Sequence, residues 1–324
     1  MAYASTTKSA AEQTAQAADK TLFVTRNTLR SLAADPAWTT GAGASADAAG
    51  YSALFACDGI ADNPTHPAVQ SPTVSTYRWT ANLTTSPNGV DNVIDSVAIL
   101  GHNFHTIARQ LSATITVNVE IANSSAFDAG HQYLLLYQWT VTGAYTCPRL
   151  VALNLTSNYG RYTAVPWLRV VVASTVAFDG DHLPEIGEVF AGRSRQLGRR
   201  PDRPWDPRSS TTQLSRQRAK TGAVSTYELY SHVSDAKLLY SAHDGTDNAT
   251  NLDDVATLES WYQDTYAGRD PFVFVDSPNT SPAQAQLVAL DPPTRKLDFF
   301  DINIGQIEIP LLEYPPFLGP ELYT

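Results

Sequence analysis

Cysteine, charge and long apolar runs are all scarce in this sequence, and each scarcity excludes something. Two cysteines in 324 residues, Cys57 and Cys147, are too few for a disulfide framework and suit a reducing compartment. No run approaches the roughly 20 apolar residues that a spanning helix needs, so no membrane insertion is expected. The amino-terminal MAYASTTKSAAEQ lacks a basic region followed by an apolar core, so no secretory signal is read there. Catalytic signatures are missing too. There is no Gly-x-Ser-x-Gly, no His-Glu-x-x-His and no phosphate-cradling glycine loop, and a non-enzymatic protein is expected. Charged residues make up only 17%, and their balance of −10 argues against specific nucleic-acid binding.

What the sequence does hold favours strands and turns. Fifteen Tyr, 20 Pro and 18 Gly, with abundant Thr, Val and Ala, point away from helices. The length allows two domains, each with its own core. The chain is organised around Asp91–Phe104, DNVIDSVAILGHNF. Val93, Asp95, Val97 and Ile99 alternate with Ile94, Ser96, Ala98 and Leu100, and both faces are mostly apolar. That pattern predicts a strand buried on both sides. Gly101, His102 and Asn103 then read as a structural turn whose polar side chains satisfy local backbone groups.

Before this stretch, residues 1–45 are Ala/Thr/Ser-rich and read as an amino-terminal arm with a fraying helix after Ser9 and a short strand near Leu22. Leu54–Cys57 followed by Asp58-Gly59 reads as a strand into a turn, and Tyr77 alternating with Trp79 as another strand. After it, Leu111–Ile121, Leu134–Val141 and Val165–Ala173 continue the series, with turn signals between them. Residues 46–192 therefore predict a β-sandwich or jelly roll. Composition shifts at 193–220, where nine Lys or Arg, two Asp and three Pro leave no apolar period and predict a basic linker. Residues 221–324 predict a smaller α+β domain. Asn251 caps a helix carrying Leu252, Val255, Leu258, Tyr262 and Tyr266, and strands follow at Pro271–Asp276, Ala285–Ala289, Lys296–Phe300 and Ile302–Leu312.

The segment 91–104, preceded by Cys57-Asp58-Gly59 and Trp79, resembles the discoidin-like (galactose-binding-like) domains embedded in tail proteins of double-stranded DNA bacteriophages. Ile186-Gly187-Glu188-Val189-Phe190-Ala191-Gly192-Arg193 is similar to the exit from that domain. Leu252–Asp276, with Gly268-Arg269-Asp270-Pro271-Phe272, resembles tail-tip and distal-tail (minor tail) proteins that reuse a tail-tube-like fold. The resemblance implies a mainly β protein: a discoidin-like jelly-roll sandwich plus a tail-tube-like α+β domain with one helix against a sheet. It further implies a structural subunit at the distal tail, tail tip or baseplate, made in host cytoplasm and resident in the virion tail. Its partners would be itself, as a ring (trimer or hexamer), the tail tube and the tail-tip hub. The alternative is a carbohydrate-binding adhesin for host attachment, recognising a cell-surface glycan.

Candidate site residues follow from both readings. No cofactor is read from the residues. Asp58, Asp62, Asp179, Asp181 and Glu185 are oxygen ligands that calcium could use, and relatives of the discoidin type often hold calcium beside the sandwich. His102 and His105 have metal-compatible spacing but no Cys or His companion nearby, which favours the turn role. Tyr77, Trp79 and Tyr159, with Trp139 and Trp167, could form a sugar-stacking platform, against the commoner role of such rings as core. In the closing strand Ile302, Ile304, Ile307, Ile309 and Leu311 alternate, with a bulge expected at Gly305-Gln306. Together with Pro315 and Phe317 in the apolar tail, they are expected to form an open assembly edge.

Overall fold

The computed structural model describes residues 2–17, 22–30, 32, 34–40, 48–58, 64–84, 93–143, 150–153, 160–196, 210–218, 224–241, 259–265, 270–275, 285–290, 296–301 and 304–313. The protein is mainly β, with antiparallel sheets throughout. In chain order the first elements are β1 (Ala4–Thr7), α1 (Ala10–Ala17), β2 (Leu22–Thr25) and β3 (Ala37–Thr40). A 3-10 turn at Ala53–Cys57 precedes β4 (Thr76–Asn82), β5 (Val93–Ile94) and β6 (Ser96–Leu100). Next come α2 (Phe104–Gln110), β7 (Ile115–Ala122), β8 (Tyr133–Val141), β9 (Leu150–Leu153), β10 (Gly160–Thr163), β11 (Trp167–Ser174) and β12 (Glu188–Gln196). The rest of the chain supplies β13 (Ser210–Arg218), β14 (Val224–Ser241), β15 (Phe272–Val275), β16 (Gln286–Leu290), β17 (Lys296–Asp301) and β18 (Ile304–Glu313), with helix at 259–264.

A five-stranded sheet in the order β3-β4-β11-β7-β8 packs against a ten-stranded sheet. The ten-stranded sheet runs β13-β14-β18-β16-β15-β2-β12-β6-β9, with β17 on β18. The expected doubly buried strand is β6, and its two-residue period divides it between two cores. Val97 and Ile99 join the sandwich core with Trp38, Tyr77, Trp79, Val117, Val170 and Val189. Ala98 and Leu100 turn the other way, onto Leu22, Val24, Phe190, Val273 and Leu287. A third core lies on the opposite face of the carboxy-terminal strands, where Phe23 stacks on Trp261 at 4.9 Å among Phe272, Phe274, Ile309 and Leu311. Residues 259–264 place that tryptophan, so one helix does lie against this part of the sheet.

Several expectations are corrected here. Residues 1–45 are not a free arm. β1 pairs with β10, β3 with β4, and β2 sits between β12 and β15. The reason is visible in LFVT, whose four residues are all buried. Residues 193–220 are not all linker either. β12 runs on to Gln196 and β13 pairs with β14, because backbone ladders need no apolar period. Leu54–Cys57 is a 3-10 turn, started by the Ser52 hydroxyl, which accepts from the Leu54 amide at 3.2 Å. Helix α2 was not expected; Phe104, Ile107 and Ala108 give it a short buried stripe.

The closing strand is not an edge. β18 carries β14 along 306–312 on one side, with β17 along 304–308 and β16 along 311–313 on the other. An alternating strand with Ile309 and Leu311 buried finds a core before it finds a partner molecule. The register break falls on β17, between Phe299 and Asp301, opposite Gly305 and Ile304 rather than within β18 at Gly305-Gln306.

Candidate interaction surfaces

The end of β6 is a built turn. Gly101 has φ +62°, in the left-handed region that a side chain would strain. Asn103 reaches across the fold rather than to its own turn. Its Nδ2 donates to the Leu183 carbonyl at 3.0 Å, and its Oδ1 accepts from the Glu185 amide at 2.8 Å. His102 does not satisfy the backbone as expected. Its ring lies stacked on Phe104 at 4.5 Å and edge-on to Trp139 at 5.5 Å, and neither ring nitrogen has a hydrogen-bond partner among the described residues. Burial, and then the neighbouring His105, push its pKa down to about 3, so the ring is neutral.

A second surface is the outer face of the five-stranded sheet. Register sets it out in rows across the strands. Thr39, Arg78, Val171, Asn118 and Gln138 form one row from β3 to β8. Ala37, Thr80, Arg169, Glu120 and Leu135 form the next, and Asn82, Trp167, Ala122 and Tyr133 a third. Arg169 donates to Glu120 Oε2 from Nε and approaches it with Nη2, both at 2.6 Å, with side chains only 11% and 5% exposed. The Phe127 ring lies 4.0 Å from that guanidinium, and the Tyr133 hydroxyl donates to Glu120 Oε1 at 3.1 Å. Gln138 Nε2 donates to Asn118 Oδ1 at 3.1 Å. Tyr133 and Leu135 are exposed, and Trp167 is half-buried.

A third surface is a strand edge that has no partner among the described residues. β14 is 18 residues long: Val224–Ser234 pairs with β13, and Asp235–Ser241 with β18. Among the described residues, each stretch of β14 has a single partner strand. Among those residues, the hairpin over 210–218 and 224–234 is therefore a two-stranded ribbon with no further strand on either edge. Such a ribbon is marginal alone and invites a further strand.

The remaining candidates scatter. Tyr77 and Trp79 are core residues, not a platform: the Tyr77 hydroxyl donates to the Ala68 carbonyl at 3.1 Å and Trp79 Nε1 to Ala53 at 2.9 Å. Trp139 is buried as well. Asp179 accepts from His182 Nδ1 at 2.6 Å and from the Asp181 amide at 3.1 Å, and the histidine bond above all lowers its pKa. Glu185 is tied through its amide to Asn103, while Asp58 lies at the end of the 3-10 turn. Among the described residues no three His, Cys, Asp or Glu side chains gather in metal-ligating geometry. Asp62, Tyr159, Ile302, Pro315, Phe317 and Cys147 lie outside the described residues, and Cys57 is a buried free thiol whose pKa burial drives up. No helix among the described residues is long and apolar enough to cross a membrane.

Sequence reasoning passed over Arg78, Arg169, Glu120, Asn118, Gln138 and Tyr133. The signal was present in the alternation itself: Thr116, Asn118 and Glu120 are the polar half of ITVNVEIA, and Arg169 interrupts WLRVVV on the same face. No protein-family profile, curated protein or solved structure matches the chain.

Proposed function

We propose that this chain is a non-enzymatic structural subunit of a tailed-phage virion, joining copies of itself into a ring at the distal tail or tail tip beside tail-tube and hub proteins. The observation that carries the reading is the β13–β14 ribbon, whose edges have no partner strand among the described residues and so offer backbone donors and acceptors to a neighbouring subunit. With β18 enclosed, subunit pairing belongs to this ribbon rather than to the closing strand. The ordered resemblances at 91–104, 186–193 and 252–276 point the same way. Light scattering on the purified full chain is expected to give a trimer or hexamer. Replacing residues 210–234 by a short Gly-Ser turn, which keeps the β14–β18 ladder, is expected to give a folded monomer. A ring that persists without the ribbon rejects the mechanism.

A second reading, glycan recognition during host attachment, is favoured by the outer face of the five-stranded sheet. Its planar polar side chains stand beside partly exposed aromatic rings, a combination suited to sugars.

A further inference from the structure

We propose that Arg193, at the seam between the sandwich core and the third core, is the centre of a binding site for a small phosphate-type oxyanion. The inference is independent of the ring and glycan readings and concerns a different part of the fold.

Strand alternation places the residue. Positions 189, 191, 193 and 195 of β12 share one face of the ten-stranded sheet. Val189 and Ala191 belong to the sandwich core, while Arg195 pairs in register with Phe23 of the third core. Arg193 stands between them, opposite Thr25, where one core gives way to the other. Its backbone is pinned there. Thr25 Oγ1 donates to the Arg193 carbonyl at 3.3 Å, and the next amide, of Ser194, donates to Asp95 at 2.6 Å. At Gly192 the Thr25 carbonyl comes so close that any side chain would collide with it. The strand therefore has no freedom to carry the guanidinium elsewhere.

Charge pairing then singles Arg193 out. Arg161 binds Asp95 and Glu12, and Arg26 and Arg195 share Asp264. Each of those carboxylates is taken by another arginine. Among the described residues the Arg193 guanidinium has no hydrogen bond or ion pair, and its Nε is buried without an acceptor. Burial, and then the charges of Arg195 and Arg161, hold its pKa below the ordinary arginine value. Asp264 and Asp95 oppose that effect without cancelling it. An arginine keeps its proton even so, and a buried cation with no counter-charge calls for an anion.

The ligand class follows from the same balance. A planar fork of N–H donors suits the oxygens of phosphate or carboxylate. Because the neighbouring arginines outweigh the carboxylates at this point, an incoming group meets more than one positive charge. That favours phosphate over a singly charged carboxylate. Arg193 is partly exposed, whereas the side chains of Arg161 and Arg195 are only 16% and 17% exposed and already engaged. One unmatched cation serves one small group; a nucleic-acid backbone needs many, since its binding grows with each phosphate neutralised.

The test melts the full-length chain in sodium chloride, sodium phosphate, glycerol 2-phosphate and sodium acetate, all at one ionic strength. Calorimetry gives the affinities, and amide hydrogen exchange locates the effect. Phosphate is expected to raise the melting temperature saturably, by about 2 °C or more at about ten times its Kd. It should also slow exchange in residues 22–28 and 188–196, with acetate acting more weakly. Tighter binding of the ester would point to a phosphorylated small molecule and tighter binding of the ion to free phosphate, and either supports the site. Arg193→Met, which keeps the aliphatic stem, should weaken phosphate binding about tenfold or more. In chloride the same variant should melt no lower than the unaltered chain; a large drop would show that the protein alone already balances this charge. Stabilisation that grows without saturation and is shared by the variant would be a bulk salt effect and would overturn the site. Acetate acting as strongly as phosphate would overturn the ligand class. Exchange slowed only outside those strands, a result readable in the unaltered chain even if the variant fails to fold, would overturn the location. No response to either phosphate compound would overturn the inference outright.

Discussion

At the level of single residues, Asn103 and His102 are neighbours with opposite ways of being buried. Asn103 makes two bonds to a loop some 80 residues away, so Asn103→Ala removes both and strands backbone groups at Leu183 and Glu185. A loss of about 1–3 kcal/mol in urea unfolding is expected; unchanged stability would show that water replaces the amide. His102 gives a pH dependence instead. Its folded pKa of about 3 lies below the ordinary 6.5, so the unfolded chain binds the extra proton between those values. Its contribution is therefore complete above pH 6.5 and is lost as pH falls towards 3, at up to about 1.4 kcal/mol per pH unit. His102→Gln should flatten this slope between pH 6.5 and 4.5, whatever its effect on absolute stability; parallel curves for both proteins would place the titration elsewhere. That Gly-His-Asn ends a strand was legible from Gly101 alone. That the amide serves a distant loop, and the imidazole no polar group, depends on tertiary contacts that local sequence does not encode.

At the level of elements, Arg161 on β10 binds both Glu12 of α1, at 2.6 Å, and Asp95 between β5 and β6, at 3.0 Å. The Asp95 side chain is fully buried and also accepts from the Ser194 amide at 2.6 Å. Arg161→Ala would leave that carboxylate without its cation, and a cost of about 3–5 kcal/mol is expected from chemical denaturation. A cost below about 1 kcal/mol would mean that the amino-terminal elements are only loosely docked. The strands of the sandwich were readable because β6, β7 and β11 alternate so strongly. Partner choice was not. β18 has the same alternation whether it stands at an edge or in the middle, and only the positions of β14, β16 and β17 decide. Likewise Asp95 looked like a break in an apolar stripe, and the guanidinium that explains it lies 66 residues away.

For the molecule as a whole, β2 joins what composition had divided. It contributes Leu22 and Val24 to one core and Phe23 to another, between β12 of the sandwich and β15 of the carboxy-terminal part. Asp264 reinforces that junction by binding Arg26 at 2.9 Å and Arg195 at 2.8 Å. Deleting residues 1–25 should therefore abolish cooperative melting; a truncated protein that melts as sharply as the full chain would show that β2 is dispensable. The shift in charge at 193–220 is real in the sequence, but hydrogen-bonded ladders cross it. The continuous sheet, ending among the described residues in the β13–β14 ribbon, underlies the proposal of a ring-forming virion subunit. The most direct test is a cryo-electron map of an intact tailed particle with this chain traced in it. The account predicts a closed ring of copies at the distal tail, the β13–β14 ribbon of each pairing with its neighbour. A particle lacking the chain, or a chain present only as isolated copies with the ribbon unpaired, would contradict it.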